Sequence, residues 1–208
     1  MIITIFGATG MVGRHLVQQA LLDGHTVRAF GRNVHTAGFP ENENLHLLAG
    51  ALFDGSQVKN AIKGSDAVLS ALGGSTDGND VTRSLGMKNI VEQMKKAGVK
   101  RIIAVGGKGI LDGEEGIFLD DPAYPAAFIP VGKEHYKAWK HLESSDLEWT
   151  IIGSPDIIEH EATGVFRTSA DTPPDPDNNY INAGDLALFM LNHINRNEYI
   201  RKRVGISN

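Results

Sequence analysis

The chain has 208 residues, 41% of them hydrophobic and 22% charged, with a formal net charge of −5. That is the length and apolar content of one folded domain with a substantial core, and it excludes an intrinsically disordered chain. The acidic balance, with no lysine- or arginine-rich run, argues against nucleic acid or an anionic membrane held by bulk charge, and the lack of cysteine excludes disulfides, thiolate metal sites and cysteine nucleophiles.

The opening run MIITIFG has no basic segment and is too short for a secretory signal. No stretch approaches the roughly 18 apolar residues of a membrane span. A soluble, cytoplasmic protein is expected. Ile2–Phe6, apolar and β-branched, reads as a strand covered on both faces. Val12, Leu16, Val17 and Ala20 then repeat at helical spacing, with Gly24 at the C-cap position. Thr26–Phe30, Leu45–Gly50, Asp66–Leu72, Arg101–Gly107 and Glu148–Gly153 read as the next five strands. Met87, Ile90, Val91 and Met94 mark a helix ending near Gly98, and Val131–Glu143 reads as another. Leu111–Pro130 and Ala170–Asn179, rich in proline and acids, read as surface loops, the first long enough to be functional. The alternation predicts an α/β fold: a doubly wound, mainly parallel sheet with helices on both faces, in three layers. No linker divides the chain, so residues 1–208 are expected to form one domain with a small substrate-side C-terminal part from about residue 153.

Three glycines, Gly7, Gly10 and Gly13, stand where the first strand hands over to the first helix. In α/β sheets ligands bind beyond the carboxyl ends of the strands, and a helix N-terminus there offers bare amides and a positive dipole end. Gly7 permits the turn, Gly10 admits a pyrophosphate and Gly13 lets helix and strand pack, while Thr9 can add a hydroxyl. The spacing is G-x-x-G-x-x-G rather than the dinucleotide-binding G-x-G-x-x-G, and with 24 glycines in the chain it is weak by itself. Its position in a βαβ chain gives it weight, against a reading in which the glycines serve packing alone. After the second strand, where NAD binders carry an acid for the ribose hydroxyl, the chain has Phe30-Gly31-Arg32-Asn33. A guanidinium pairs with a 2′-phosphate that a carboxylate would repel, so NADP(H) is expected in preference to NAD(H), unless Arg32 is an ordinary solvated side chain.

GATGMVG at the first turn, GRN after strand two and SDLEWTIIGSP around strand six together resemble the atypical branch of the short-chain dehydrogenase/reductase superfamily. Within it the chain is similar to the NAD(P)H-binding group of NmrA-like regulators, NADH-flavin reductases and biliverdin reductase B. The resemblance implies a Rossmann core holding NADP(H) and either reduction of a small planar substrate or sensing of the cofactor. It implies that Gly7, Thr9, Gly10, Met11, Val12 and Gly13 cradle the pyrophosphate and that Arg32 meets the 2′-phosphate. Leu52 would flank the adenine, Leu72 and Gly73 would line the ribose side, and Val105, Gly106 and Gly107 with Pro155 would approach the nicotinamide. Three positions depart from the group: Ala51 stands for an adenine-contacting aspartate, Gly107 for a serine near the substrate, and Asp156 for a reductase-type histidine.

Tyr136 and Lys140, four residues apart, share one helical face and could form a tyrosine–lysine acid pair, or simply the half-buried and solvated sides of an amphipathic helix. They sit about five residues late for the family register, which falls on Val131 and His135. His135 could therefore reach the nicotinamide ribose, or be a partly exposed helix residue. Lys108 could meet a substrate anion or stand in solvent. HEATG (His160–Gly164) lacks the second histidine of a zinc protease, and no metal is expected. Phe118, Tyr124 and Phe128 could form an apolar lid. The expected function is hydride transfer from NADPH to a small flavin- or quinone-like acceptor. The alternative is a non-catalytic NADP-sensing regulatory or partner-binding module.

Overall fold

The computed structural model describes residues 1–208. Its strands are β1 (Ile2–Phe6), β2 (Thr26–Gly31), β3 (Leu45–Ala49), β4 (Ala67–Ser70), β5 (Arg101–Gly107), β6 (Glu148–Ser154), β7 (Asp156–Ile158), β8 (Arg167–Ala170), β9 (Tyr180–Asn182) and β10 (Lys202–Ser207). Its helices are α1 (Met11–Leu22), α2 (Gly55–Ile62), α3 (Thr82–Ala97), α4 (Ile129–Glu143) and α5 (Ala183–Asn192).

Eight strands form one sheet in the order β3-β2-β1-β4-β5-β6-β10-β8. All neighbours are parallel except β8, which runs antiparallel to β10 at the edge. The first six strands keep the 3-2-1-4-5-6 order of a Rossmann sheet, whose switch point lies between β1 and β4. Period-two alternation sends the strand residues to opposite faces. Ile3 and Ile5 of β1 join Leu16, Val17 and Phe189 in a core beneath α1 and α5. Phe6 joins Ile90, Met94, Ile102 and Leu142 in a second core beneath α2, α3 and α4. The three-layer Rossmann architecture is thus present.

The structure corrects several boundaries and adds elements. β4 is Ala67–Ser70, shorter than Asp66–Leu72, because the chain leaves the ladder as it enters a glycine-rich loop. α4 starts at Ile129, two residues ahead of Val131, with Pro130 in its first turn, where no intrahelical N–H is needed. The Leu111–Pro130 segment is not structureless: short 3₁₀ turns occur at Phe118–Asp120 and Ala126–Phe128. α2, α5 and the last four strands were not predicted. β10 adds beside β6, so the final residues complete the main sheet, and β7 pairs with β9 in a separate small ribbon.

Candidate functional site

One cleft of about 930 Å³ opens at the carboxyl ends of β1, β4, β5 and β6. Its wall is built by Gly10, Met11 and Val12 from the start of α1, Leu72 and Gly73 after β4, Val105–Gly107 from β5, and Ser154 and Pro155 after β6.

The glycine turn divides its labour. Gly7 adopts φ +75°, and a Cβ there would lie 2.2 Å from the Ala71 carbonyl oxygen. A Cβ on Gly13 would lie 2.0 Å from the Gly7 oxygen, so backbone packing requires glycine at both positions. Gly10 differs: the only protein atom near its Cβ position is the Gly7 oxygen, at 3.3 Å, and the residue faces the cleft. The first hydrogen bond of α1 is Arg14 N–H to the Gly10 carbonyl. The amides of Thr9, Met11, Val12 and Gly13 donate to no backbone acceptor, and no side chain caps the helix. Free amides at a helix N-terminus, beside a glycine that faces the cleft, fit a diphosphate.

At the neighbouring strand end, Arg32 and Asn33 are exposed, and Arg32 forms no ion pair. The Thr9 methyl lies 3.9 Å from where a Gly31 Cβ would be, which brings the two turns together. Leu52 packs with Leu72 into the notch left by Gly86, where a Cβ would lie 2.4 Å from Leu52 Cδ2 and 3.1 Å from Leu72 Cδ1. Beside it the Ala51 amide donates to Gln57 Oε1 at 2.8 Å.

At the other end of the cleft stand His135, Lys108, Phe118, Tyr124 and Phe128. The three aromatics of the predicted lid therefore do line it. A Cβ at Gly109 or Gly132 would meet the Tyr124 hydroxyl at 2.9 and 3.1 Å, so two glycines seat that ring. Burial pushes the Tyr124 phenol above its usual pKa. Lys108 is not free in solvent. Its ammonium pairs with Asp177, donates to Asn179 Oδ1 at 2.6 Å, and lies 5.4 Å from the centre of the Phe118 ring. Asp156, in place of the histidine the resemblance implies, also reaches the wall.

The tyrosine–lysine pair is not brought to the cleft. Tyr136 packs edge-on against Trp139, with ring centres 5.6 Å apart, and Lys140 pairs with Glu143 and lies 5.0 Å from the centre of the Trp139 ring. Tyr136 and Lys140 share a helical face as their spacing requires, but it is another face of α4. His135, with Val131 one turn before it, is turned from that helix into the cleft. Burial, reinforced by the Arg83 charge, takes its pKa down to about 3 against the opposing pull of Glu134. Glu134 itself sits below the usual glutamate range: burial would raise it, but hydrogen bonds from Ser84 and Lys137 overcome that.

Arg83, Thr76 and Ser154 also line the cleft and were not singled out from the sequence. Ser154 precedes Pro155 at a strand end, a position the carboxyl-end rule could have flagged. Arg83 donates to the Gly74 and Ser75 carbonyls at 3.0 Å each and so pins the loop after β4.

No group of histidines, acids or cysteines is arranged to hold a metal, and no helix is long and apolar enough to cross a membrane. The profile of the NAD(P)H-binding family matches residues 7–197. The Bacillus subtilis (strain 168) protein YwnB, of uncharacterised function, is 25% identical over 98% of this chain and 97% of its own. An exported-class protein of Burkholderia pseudomallei is 31% identical, with a TM-score of 0.85 and full coverage of both chains. A Streptococcus pneumoniae structure assigned as an NADH-flavin reductase shares 24% identity and a TM-score of 0.84, over 100% of this chain and 99% of its own, and at that identity it speaks for the fold. With its free amides at the switch point of a Rossmann sheet, the chain belongs to the NAD(P)H-binding family.

Proposed function

We propose that the protein is a reductase that uses NADPH to reduce a small, planar, electron-accepting molecule of the flavin or quinone kind. The observation that carries this reading is the single continuous cleft, which runs from the unpartnered amides of α1 to an aromatic-lined end at Phe118, Tyr124 and Phe128. When bound, the reduced nicotinamide supplies hydride, and the protein binds, orients and excludes water. The amides of Thr9, Met11, Val12 and Gly13 would hold the diphosphate, with Gly7 shaping the turn. Arg32 would meet the 2′-phosphate, which is the basis for NADP(H) over NAD(H). Leu52 would flank the adenine and Leu72 and Gly73 the ribose, while Val105, Gly106 and Pro155 would form the nicotinamide end.

The test is NADPH consumption, followed by absorbance, with flavins, quinones and tetrapyrroles supplied in turn. Turnover with one class supports the proposal. Absence of turnover with all three, in protein that binds NADPH, favours a cofactor-sensing module instead. One observation leans that way: Tyr136 and Lys140, the residues best suited to proton transfer, lie outside the cleft.

A further inference from the structure

β5 ends at a glycine, and the space its side chain would fill is occupied. A Cβ on Gly107 would lie 2.8 Å from His135 Cδ2, 3.4 Å from Nε2 and 3.5 Å from Cγ. Ring and side chain are mutually exclusive there, so glycine at 107 is what lets the imidazole lie against the strand end. The ring lines the cleft within the same wall as Val105, Gly106 and Pro155. Hydrogen bonding contributes nothing to its titration, and neither nitrogen is among the sealed, unpartnered polar atoms of the protein. Neither ring nitrogen has a hydrogen-bond partner within the protein.

We propose that His135 is the substrate-facing hydrogen-bond donor of the cleft, its neutral imidazole donating N–H to the carbonyl oxygen or ring nitrogen of an uncharged, conjugated acceptor. This rests on the reductase reading and narrows its substrate class. Desolvation and the Arg83 guanidinium on α3 disfavour the imidazolium, and Glu134 on α4 is engaged by Ser84 and Lys137. A neutral imidazole polarises an acceptor without giving up its proton. In the reaction the acceptor gains hydride from the cofactor, one proton with two electrons, and takes its second proton from water. The imidazole keeps its single ring proton throughout. Of the two cations of the cleft, Lys108 is paired with Asp177, and the Arg83 guanidinium is held on the Gly74 and Ser75 carbonyls.

The test uses riboflavin, an uncharged isoalloxazine, titrated by fluorescence against the NADP⁺-loaded protein. At saturating NADP⁺, His135→Ala and Gly107→Ala are expected to weaken riboflavin binding about tenfold, the loss of one hydrogen bond of about 1.4 kcal/mol. His135→Gln, which keeps a neutral donor, should restore most of it. Nitrogen NMR of the His135 ring should show one neutral tautomer from pH 5 to 8. A ring that titrates near pH 6.5, or variants that bind riboflavin as the wild type does, would overturn the proposal. If wild-type protein reduces flavins while His135→Ala reduces them equally well, the reductase reading stands and this one falls. If the wild type reduces no acceptor, both fall.

Discussion

A methyl group at Gly13 would overlap the Gly7 carbonyl oxygen at 2.0 Å, whereas at Gly10 it would approach the same oxygen only to 3.3 Å and otherwise face the cleft. The two glycines of one motif therefore give different expected outcomes. Gly13→Ala should lower stability by about 1–3 kcal/mol or more, because the carbonyl it strikes cannot move without the turn. Denaturant melting checks this. Gly10→Val should leave the melting curve near that of the wild type while weakening NADPH binding by tenfold or more in a fluorescence titration. Equal loss of stability in both variants would contradict the separation of packing from ligand approach. Arg32 belongs at the same scale. It is exposed and unpaired, so Arg32→Glu should cost no stability but should narrow or reverse the preference for NADPH over NADH, read as the ratio of the two dissociation constants.

At the scale of elements, α5 shows how one buried carboxylate organises the C-terminal part. Asp185, in the first turn and fully buried, accepts hydrogen bonds from the Thr163 and Gly164 amides, the Thr163 hydroxyl and the amides of Asn182 and Asn208. Burial raises its pKa, but the donors, Asn208 and Asn182 first, overcome that and bring it below the ordinary aspartate value of 3.8. A carboxyl group depressed in the folded state contributes stability that is complete above its unfolded pKa. That stability is lost as pH falls through the folded value. Asp185→Asn should therefore cost about 3 kcal/mol at neutral pH, since an amide nitrogen must face donors, and the deficit should shrink below about pH 4. Urea melts at pH 7 and pH 3 check both the size and the sign. α4 makes the complementary point. Neighbouring residues face differently, so His135 enters the cleft while Tyr136 does not, and a helix predicted correctly still leaves the functional face undecided.

For the whole molecule, the cleft crosses the sheet's switch point, so a ligand filling it braces both halves of the fold. NADPH at about one hundred times its dissociation constant should add about 2.7 kcal/mol. At 2–4 °C per kcal/mol for a chain of this size, that raises the melting temperature by roughly 5–11 °C. A thermal-shift series with NADPH, NADH and free flavins checks it. An unmoved melting temperature with both nucleotides would remove the site.

Much of this organisation was legible from local patterns. Ile2–Phe6 is apolar but for Thr4, the glycines follow it at once, and an amphipathic repeat follows them; each signal lies within about a dozen residues and reports on its own backbone. Such patterns determined the strand–helix alternation, the first turn and the acid-free end of β2. α2 escaped notice although Asp54 caps it, accepting from the amides of Ser56 and Gln57, because eight residues offer too few apolar repeats to establish a period. What only the tertiary structure decided is what depends on partners distant in sequence. β10 pairs with β6 across some fifty residues, Asp177 neutralises Lys108, and Gly107 yields its space to a ring 28 residues later. Periodicity records which way a segment faces; it does not record which other segment will occupy the space in front of it.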